Sequence, residues 1–274
     1  MTYINSPMNY SGSKFKLLDQ ILPMFDYSKD YFIDLFCGGG SVYTNILDKY
    51  TKILINDVLS DLIEIHISLS NNPHEFIESV KNLAKTKENQ QLYLELRESF
   101  NKENTPEKLY ALLLSCTNNM LRYNQKGIFN QTWGKRGWND SIEKKVNIFV
   151  EHISKYSEKI YYSSKNFYEI NPTKPSMIYC DPPYTNTLAG YNRYWSQKLE
   201  NKLYDYLKKI DSQGHSFAIS GLLGEHMDKK RSEIIDNLIS DGYKYKILDF
   251  NYDGVARKKN ITNSQEILIY NYEL

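Results

Sequence analysis

The chain has 274 residues and a mass of 32.2 kDa, and its 41% apolar content is enough for a packed core, which excludes a disordered protein. A formal net charge of +1 excludes nucleic-acid binding by global basicity, so any such partner has to be met by local patches. No apolar run approaches the ~18 residues of a membrane span, Met1 to Phe15 lacks a hydrophobic signal region, and Cys37, Cys116 and Cys180 are too scattered for a disulfide framework or a zinc site, so the expectation is a cytoplasmic, metal-free protein with no membrane partner.

In chain order, a polar arm, Asn9 to Lys14, leads into an amphipathic helix with Leu17, Leu18, Ile21 and Leu22 on one face. Tyr31 to Phe36 reads as a buried strand, Gly38-Gly39-Gly40-Ser41 as a tight turn, and Val42 to Leu47 as a helix. Ile53 to Asp57 is a second strand, so the opening is a β-α-β unit of a parallel sheet. The pattern then turns helical and charged, with helices near 59–70, 73–84, 88–101 and 106–117, followed by an aperiodic Asn/Gly/Trp-rich segment from Asn118 to Asp140. Strand signals return at Ile160, Met177, Ser216, Tyr245 and Glu266, and the last two runs suit an antiparallel pair. The expected architecture is an α/β Rossmann-like sheet of residues 1–62 and 141–274, split by a mainly helical insertion, 63–140, that carries a hairpin.

The most informative local pattern is Asp181-Pro182-Pro183-Tyr184, directly after the apolar run Met177 to Cys180. Each proline fixes its own φ and biases the residue before it towards extended geometry. The corner therefore offers a carboxylate, the Pro182 carbonyl and a tyrosine ring to a planar group that carries an NH2, such as a nucleobase amine. Alone, the tetrapeptide reads more readily as a proline-rich turn after a strand, capped by Asp181. A second pattern supplies context: Asp34-x-Phe36-x-Gly38-x-Gly40 ends one strand, and Asp57 ends the next at the spacing of a ribose-binding acid. No Gly-Lys-Ser/Thr follows the turn and a third motif glycine is missing, which disfavours a phosphate loop and a dinucleotide and leaves S-adenosylmethionine.

In this order the motifs resemble the Dam-type (class alpha, D12) DNA N6-adenine methyltransferase family. The likeness rests on Tyr10-x-Gly12-x-Lys14, the Asp34 to Gly40 turn, Asn56-Asp57, Arg122-Tyr123-Asn124-x-x-Gly127-x-Phe129-Asn130, Asp181 to Tyr184, and Gln265 to Tyr272. It implies an S-adenosylmethionine-dependent enzyme that methylates the exocyclic N6 of an adenine flipped from a short DNA motif. It further implies that Tyr10 and Lys14 contact the cofactor, that Asp34, Phe36, Gly38 and Gly40 shape its turn, and that Asp57 holds its ribose. Asn166 and Phe167 fall beside its adenine, and Asp181 touches both cofactor and target amine, with Pro182 and Tyr184 completing the catalytic corner.

The segment from Thr117 to Trp138 is the expected DNA reader. Arg122 suits guanine, Asn118 and Asn124 suit adenine, and Met120 and Thr132 suit a thymine methyl group. Lys126, Lys135, Arg136 and Lys258 are phosphate candidates. The GATC-specific branch carries an aromatic residue, leucine and proline where this chain has Thr117, Met120 and Thr132, so the recognition sequence stays open. Double-stranded DNA is the implied partner of a monomeric enzyme, with a cognate restriction endonuclease left open. Two alternatives also stay open: amino-group methylation of RNA or of a protein glutamine, and a non-catalytic DNA-binding relative. Carbon methylation of cytosine needs a nucleophilic thiol, and Cys180 lies in an apolar strand.

Overall fold

Strands form where the apolar runs predict them. They are β1 (Tyr31–Asp34), β2 (Lys52–Asn56), β3 (Ile160–Ser163), β4 (Ser176–Cys180), β5 (Ser216–Leu223), β6 (Lys244–Leu248) and β7 (Gln265–Tyr270). This computed structural model describes residues 2–184, 195–223, 233–249 and 265–274. Among those residues the strands make one sheet in the order β3-β2-β1-β4-β5-β7-β6. β1 to β5 run parallel, while β7 lies antiparallel between β5 and β6. β4 is buried at every position, as a strand covered on both faces requires.

The helices of the first half are α1 (Leu18–Ile21), α2 (Ser60–Asn71), α3 (Pro73–Leu83), α4 (Gln90–Lys102) and α5 (Pro106–Ser115). Their starts are chemically marked. Proline opens α3 and α5, where its missing N–H costs nothing, and the Asn89 and Thr105 side chains accept the first N–H groups of α4 and α5. Later come α6 (Asp140–Ser154), α7 (Gln197–Ser212) and α8 (Glu233–Ser240); α7 and α8 pack on β5.

One expected helix is absent. Val42 to Leu47 holds only a 3-10 turn, Tyr43–Asn45. Thr44 Oγ1 donates to the Gly40 carbonyl at 2.6 Å, and Asn45 Nδ2 donates to the carbonyls of Ser41 and Ile4 at 2.9 Å each. Side chains that compete for nearby carbonyls favour turns over helix.

Alternation along the strands divides the core in two. Phe32, Ile53 and Met177 belong to a cluster that continues into Phe76, Tyr110 and Phe129 of the insertion. Ile33, Ile178 and Phe217 face the other way, against Leu203 of α7 and Ile235 of α8. The sheet and the insertion thus share a core. All three cysteines are buried, and among the described residues no helix is long and apolar enough to cross a membrane.

Candidate active site

The chain leaves β1 to pair with β2 on one side and returns as β4 on the other, so the strand order reverses beside β1. In open α/β sheets that reversal opens a crevice at the strands' C-terminal ends. A cavity of about 740 Å³ lies there, lined by the residues that follow β1, β2 and β4. Every catalytic and cofactor residue expected from sequence lines it: Tyr10, Lys14, Asp34, Phe36, Gly38, Gly40, Asp57, Asn166, Phe167, Asp181, Pro182 and Tyr184.

The glycine turn forms the floor. Gly40 has φ +85°, and a Cβ there would lie 2.5 Å from Tyr43 Cε1. The Gly38 peptide is held at both ends. Its N–H donates to Asp57 Oδ2 at 3.0 Å, and its carbonyl accepts from His66 Nε2 at 2.9 Å. A carbonyl only accepts, so His66 carries its proton on Nε2. Burial holds the ring neutral, with a pKa lowered to about 4, and Nδ1 therefore accepts from the Tyr43 hydroxyl at 2.8 Å. Asp57 also accepts from Leu59 N at 3.0 Å, and burial raises its carboxyl to about 6. A carboxylate has about four acceptor sites, so Asp57 can clamp the turn and still receive ribose hydroxyls.

The cavity is acidic. Asp34, Asp57, Asp181 and Glu266 line it against Lys14 and, at the exposed rim, Lys165. Burial, together with repulsion from Asp181 and Asp57, pushes the Asp34 carboxyl well above the usual range. Asp34 accepts from the backbone of Phe36 and Tyr43, yet its Oδ1 is buried without a hydrogen-bond partner. A buried, unsatisfied carboxylate among like charges suits a cationic ligand.

Asp181 stands at the end of β4 and forms an ion pair with Lys14, with Nζ 2.8 Å from Oδ1 and 2.9 Å from Oδ2. The Lys14 ammonium also lies 5.1 Å from the centre of the Tyr184 ring. The Tyr184 hydroxyl donates to Glu266 Oε2 at 3.1 Å. Burial is the main cause of the raised Glu266 pKa, with Lys14 opposing it. Cys180, next to the corner, is fully buried, and burial pushes its thiol well up, which leaves no ready thiolate for carbon methylation.

Phe36 packs against Phe167 and Trp195 with ring centres 5.6 and 5.7 Å apart, making an apolar aromatic wall. Asn166 lines the cavity beside it, but its side chain accepts from the Glu169 backbone in a reciprocal cap of the short helix that follows. Trp195, Glu266 and His66 escaped the sequence reading. Trp195 lies outside every motif considered, Glu266 belongs to the C-terminal Gln265 to Tyr272 motif but was given no role at the site, and His66 looks like any core histidine on a helix.

The expected DNA readers separate by geometry. Met120 lines the catalytic cavity, whereas Asn118, with φ +59°, lines a neighbouring one. Arg122, Lys126, Thr132, Lys135 and Arg136 are exposed. Arg136 Nη1 donates to Asn119 Oδ1 at 3.0 Å, and Thr132 Oγ1 pairs with Thr117 Oγ1 at 3.0 Å. Asn124 spends its side-chain oxygen on the turn, accepting from Lys126 N and Ile128 N at 2.9 and 3.1 Å. Lys258 lies outside the described residues.

Comparison with known proteins agrees with this geometry. The chain is 30% identical over 285 residues to the modification methylase StsI of Streptococcus sanguinis, covering 99% of this chain and 43% of that protein. It is 29% identical over 287 residues to the type II methyltransferase M.FokI of Planomicrobium okeanokoites, again 43% of that protein. The chain therefore spans less than half the length of these relatives. A DNA adenine methylase of Salmonella typhi is 26% identical over 233 residues, 80% of each chain. The model of the D12 class N6 adenine-specific DNA methyltransferases matches residues 10–253, and the chain belongs to that family.

Proposed function

We propose that this chain transfers a methyl group from S-adenosylmethionine to N6 of an adenine turned out of double-stranded DNA. The observation that carries the reading is the Asp181–Tyr184 corner, which shares one cavity with the β1 glycine turn. The donor set fits the cofactor: Asp57 for ribose, the Phe36–Phe167–Trp195 wall for adenine, and the orphaned Asp34 oxygen within an acidic cavity for the positive charge of the methionine portion. When bound, S-adenosylmethionine supplies an electrophilic methyl group on a sulfonium centre.

The protein's own task is to make a poor nucleophile react. The lone pair of the adenine amine is delocalised into its ring. Hydrogen bonds from the amine to the Asp181 carboxylate and the Pro182 carbonyl favour a pyramidal nitrogen with a localised pair. Those bonds strengthen as positive charge develops on the nitrogen, so they stabilise the transition state more than the ground state. Lys14 fixes the carboxylate's orientation through its two close contacts. Tyr184, steered by Glu266, offers a ring for the base to stack on once it has left the duplex. Residues 63–140 serve as the target-reading insertion, and the modification-methylase relatives support a restriction partner.

The test is expression in a host without adenine methylation, followed by single-molecule sequencing of its DNA. N6-methyladenine confined to one short motif supports the reading. Unmodified DNA from a protein that still binds S-adenosylmethionine refutes it and moves the assignment to an RNA or protein amine.

A further inference from the structure

A second, smaller cavity of about 300 Å³ opens beside the catalytic one. Tyr10, Ser11 and Ser13 belong to both walls. The rest of the lining includes Asn5 and Asn9 of the N-terminal arm, Asn118 and Asn119 of the reading segment, and Lys145 of α6. Among the described residues no carboxylate lines it.

Lys145 lies in none of the sequence motifs. It is half-buried, and Nζ donates to Asn9 Oδ1 at 2.7 Å. Among the described residues it has no ion pair with an acid, and burial lowers its pKa to about 8. A partly desolvated ammonium with only a neutral amide beside it gains from an anion. The neighbouring groups suit one. The exposed Asn118 side chain makes no hydrogen bond among the described residues. Asn119 is anchored by Nδ2 to the Leu113 carbonyl at 2.8 Å and by Oδ1, which accepts from Arg136 Nη1 at 3.0 Å. Amides, hydroxyls and a cation without a competing acid form the donor set of a phosphodiester contact.

The shared wall says which anion. A strand that delivers a base to the Asp181 corner passes the lip formed by Tyr10 to Ser13, and its backbone is the phosphate source nearest to Lys145. We propose, on the DNA reading above, that the second cavity seats one backbone phosphate flanking the flipped adenine, with Lys145 as its cation. Lys145 thereby anchors the strand while the reading segment tests bases. Lys126 and Lys135, exposed on the reading segment, line neither of these two cavities.

The experiment uses the full chain as wild type and as Lys145→Met, which keeps the side chain's apolar stem, with Lys145→Ala as a second variant. S-adenosylmethionine affinity reports the integrity of each fold and is expected to be unchanged. Duplexes carrying the methylated motif are prepared with one neutral methylphosphonate at each position around the target adenine. Wild type loses about tenfold in duplex affinity at one position. Lys145→Met starts about tenfold weaker, ignores that replacement, and has a log affinity against log salt slope shallower by about 0.9. Wild-type slope and wild-type response in both variants overturn the proposal. So does competition by inorganic phosphate without any methylphosphonate effect, which marks a free-anion site. A wild type that neither binds nor methylates duplex DNA instead fells the DNA reading, and this site with it.

Discussion

His66→Phe is the sharpest test of how the cofactor turn is held. Phenylalanine keeps the ring's bulk but removes both nitrogens. The Gly38 carbonyl and the Tyr43 hydroxyl, bonded to His66 at 2.9 and 2.8 Å, then stay buried without that partner. Each such loss costs about 1–3 kcal/mol, so the variant should lose about 2–6 kcal/mol of stability. Removing the orphaned hydroxyl as well should recover part of it: His66→Phe/Tyr43→Phe should be more stable than His66→Phe alone by about 1–3 kcal/mol. Acid provides an independent check. His66 takes up a proton near its ordinary 6.5 when unfolded but only at about 4 when folded. Its contribution to stability is complete above the unfolded value and drains away as pH falls from 6.5 to about 4. The full loss is about 3 kcal/mol. Asp57, raised to about 6, acts in the opposite sense, becoming less costly to fold as pH drops through that value. The informative quantity is therefore the difference between wild type and His66→Phe, measured by urea unfolding at several pH values. S-adenosylmethionine titration should show affinity reduced on the order of tenfold, because the Gly38 peptide is part of the cavity floor. A double variant weaker than His66→Phe by the full single-variant cost of Tyr43→Phe refutes the reasoning, as does a stability difference that ignores pH.

Three further outcomes are expected. Tyr184→Ala should reduce methyl transfer by about 5- to 150-fold, the 1–3 kcal/mol worth of stacking a base, whereas Tyr184→Phe keeps the ring and loses the hydroxyl's contacts to Glu266 and Asp181; equal losses in steady-state turnover would rule out stacking as the ring's role. Glu266→Gln keeps an acceptor for Tyr184 but removes a charge beside the developing cation, so kcat should fall on the order of tenfold, about 1.4 kcal/mol, with binding of S-adenosylmethionine retained; wild-type kcat would show that the charge is idle. Gly40→Ala should cost more stability than Gly127→Ala in thermal melts. Both glycines have positive φ, +85° and +78°, but only at Gly40 does a Cβ meet neighbours, 2.5 Å from Tyr43, and similar melting points would contradict the packing argument.

Much of this protein was legible in its residues because the relevant signals are local. Apolar runs of strand length, proline or a capping side chain at the helix starts, and the glycine turn each act within a few positions. They determine the seven strands named above, the helices α2 to α5 and many of the residues that line the cavity, and the order of motifs supplied the family. Local reading failed where neighbours in sequence compete, as at Val42 to Leu47, where Thr44 and Asn45 take the carbonyls a helix would need. It also failed for residues whose role exists only across the fold. Glu266 reaches Tyr184 because β7 inserts antiparallel between β5 and β6, and His66 meets Gly38 because α2 packs beneath the turn. Lys145 becomes a partly desolvated cation only when α6 comes against the N-terminal arm. Burial and pairing across distant segments are properties of the assembled chain, so the composition of the site could be read from sequence while its electrostatics were decided by tertiary structure.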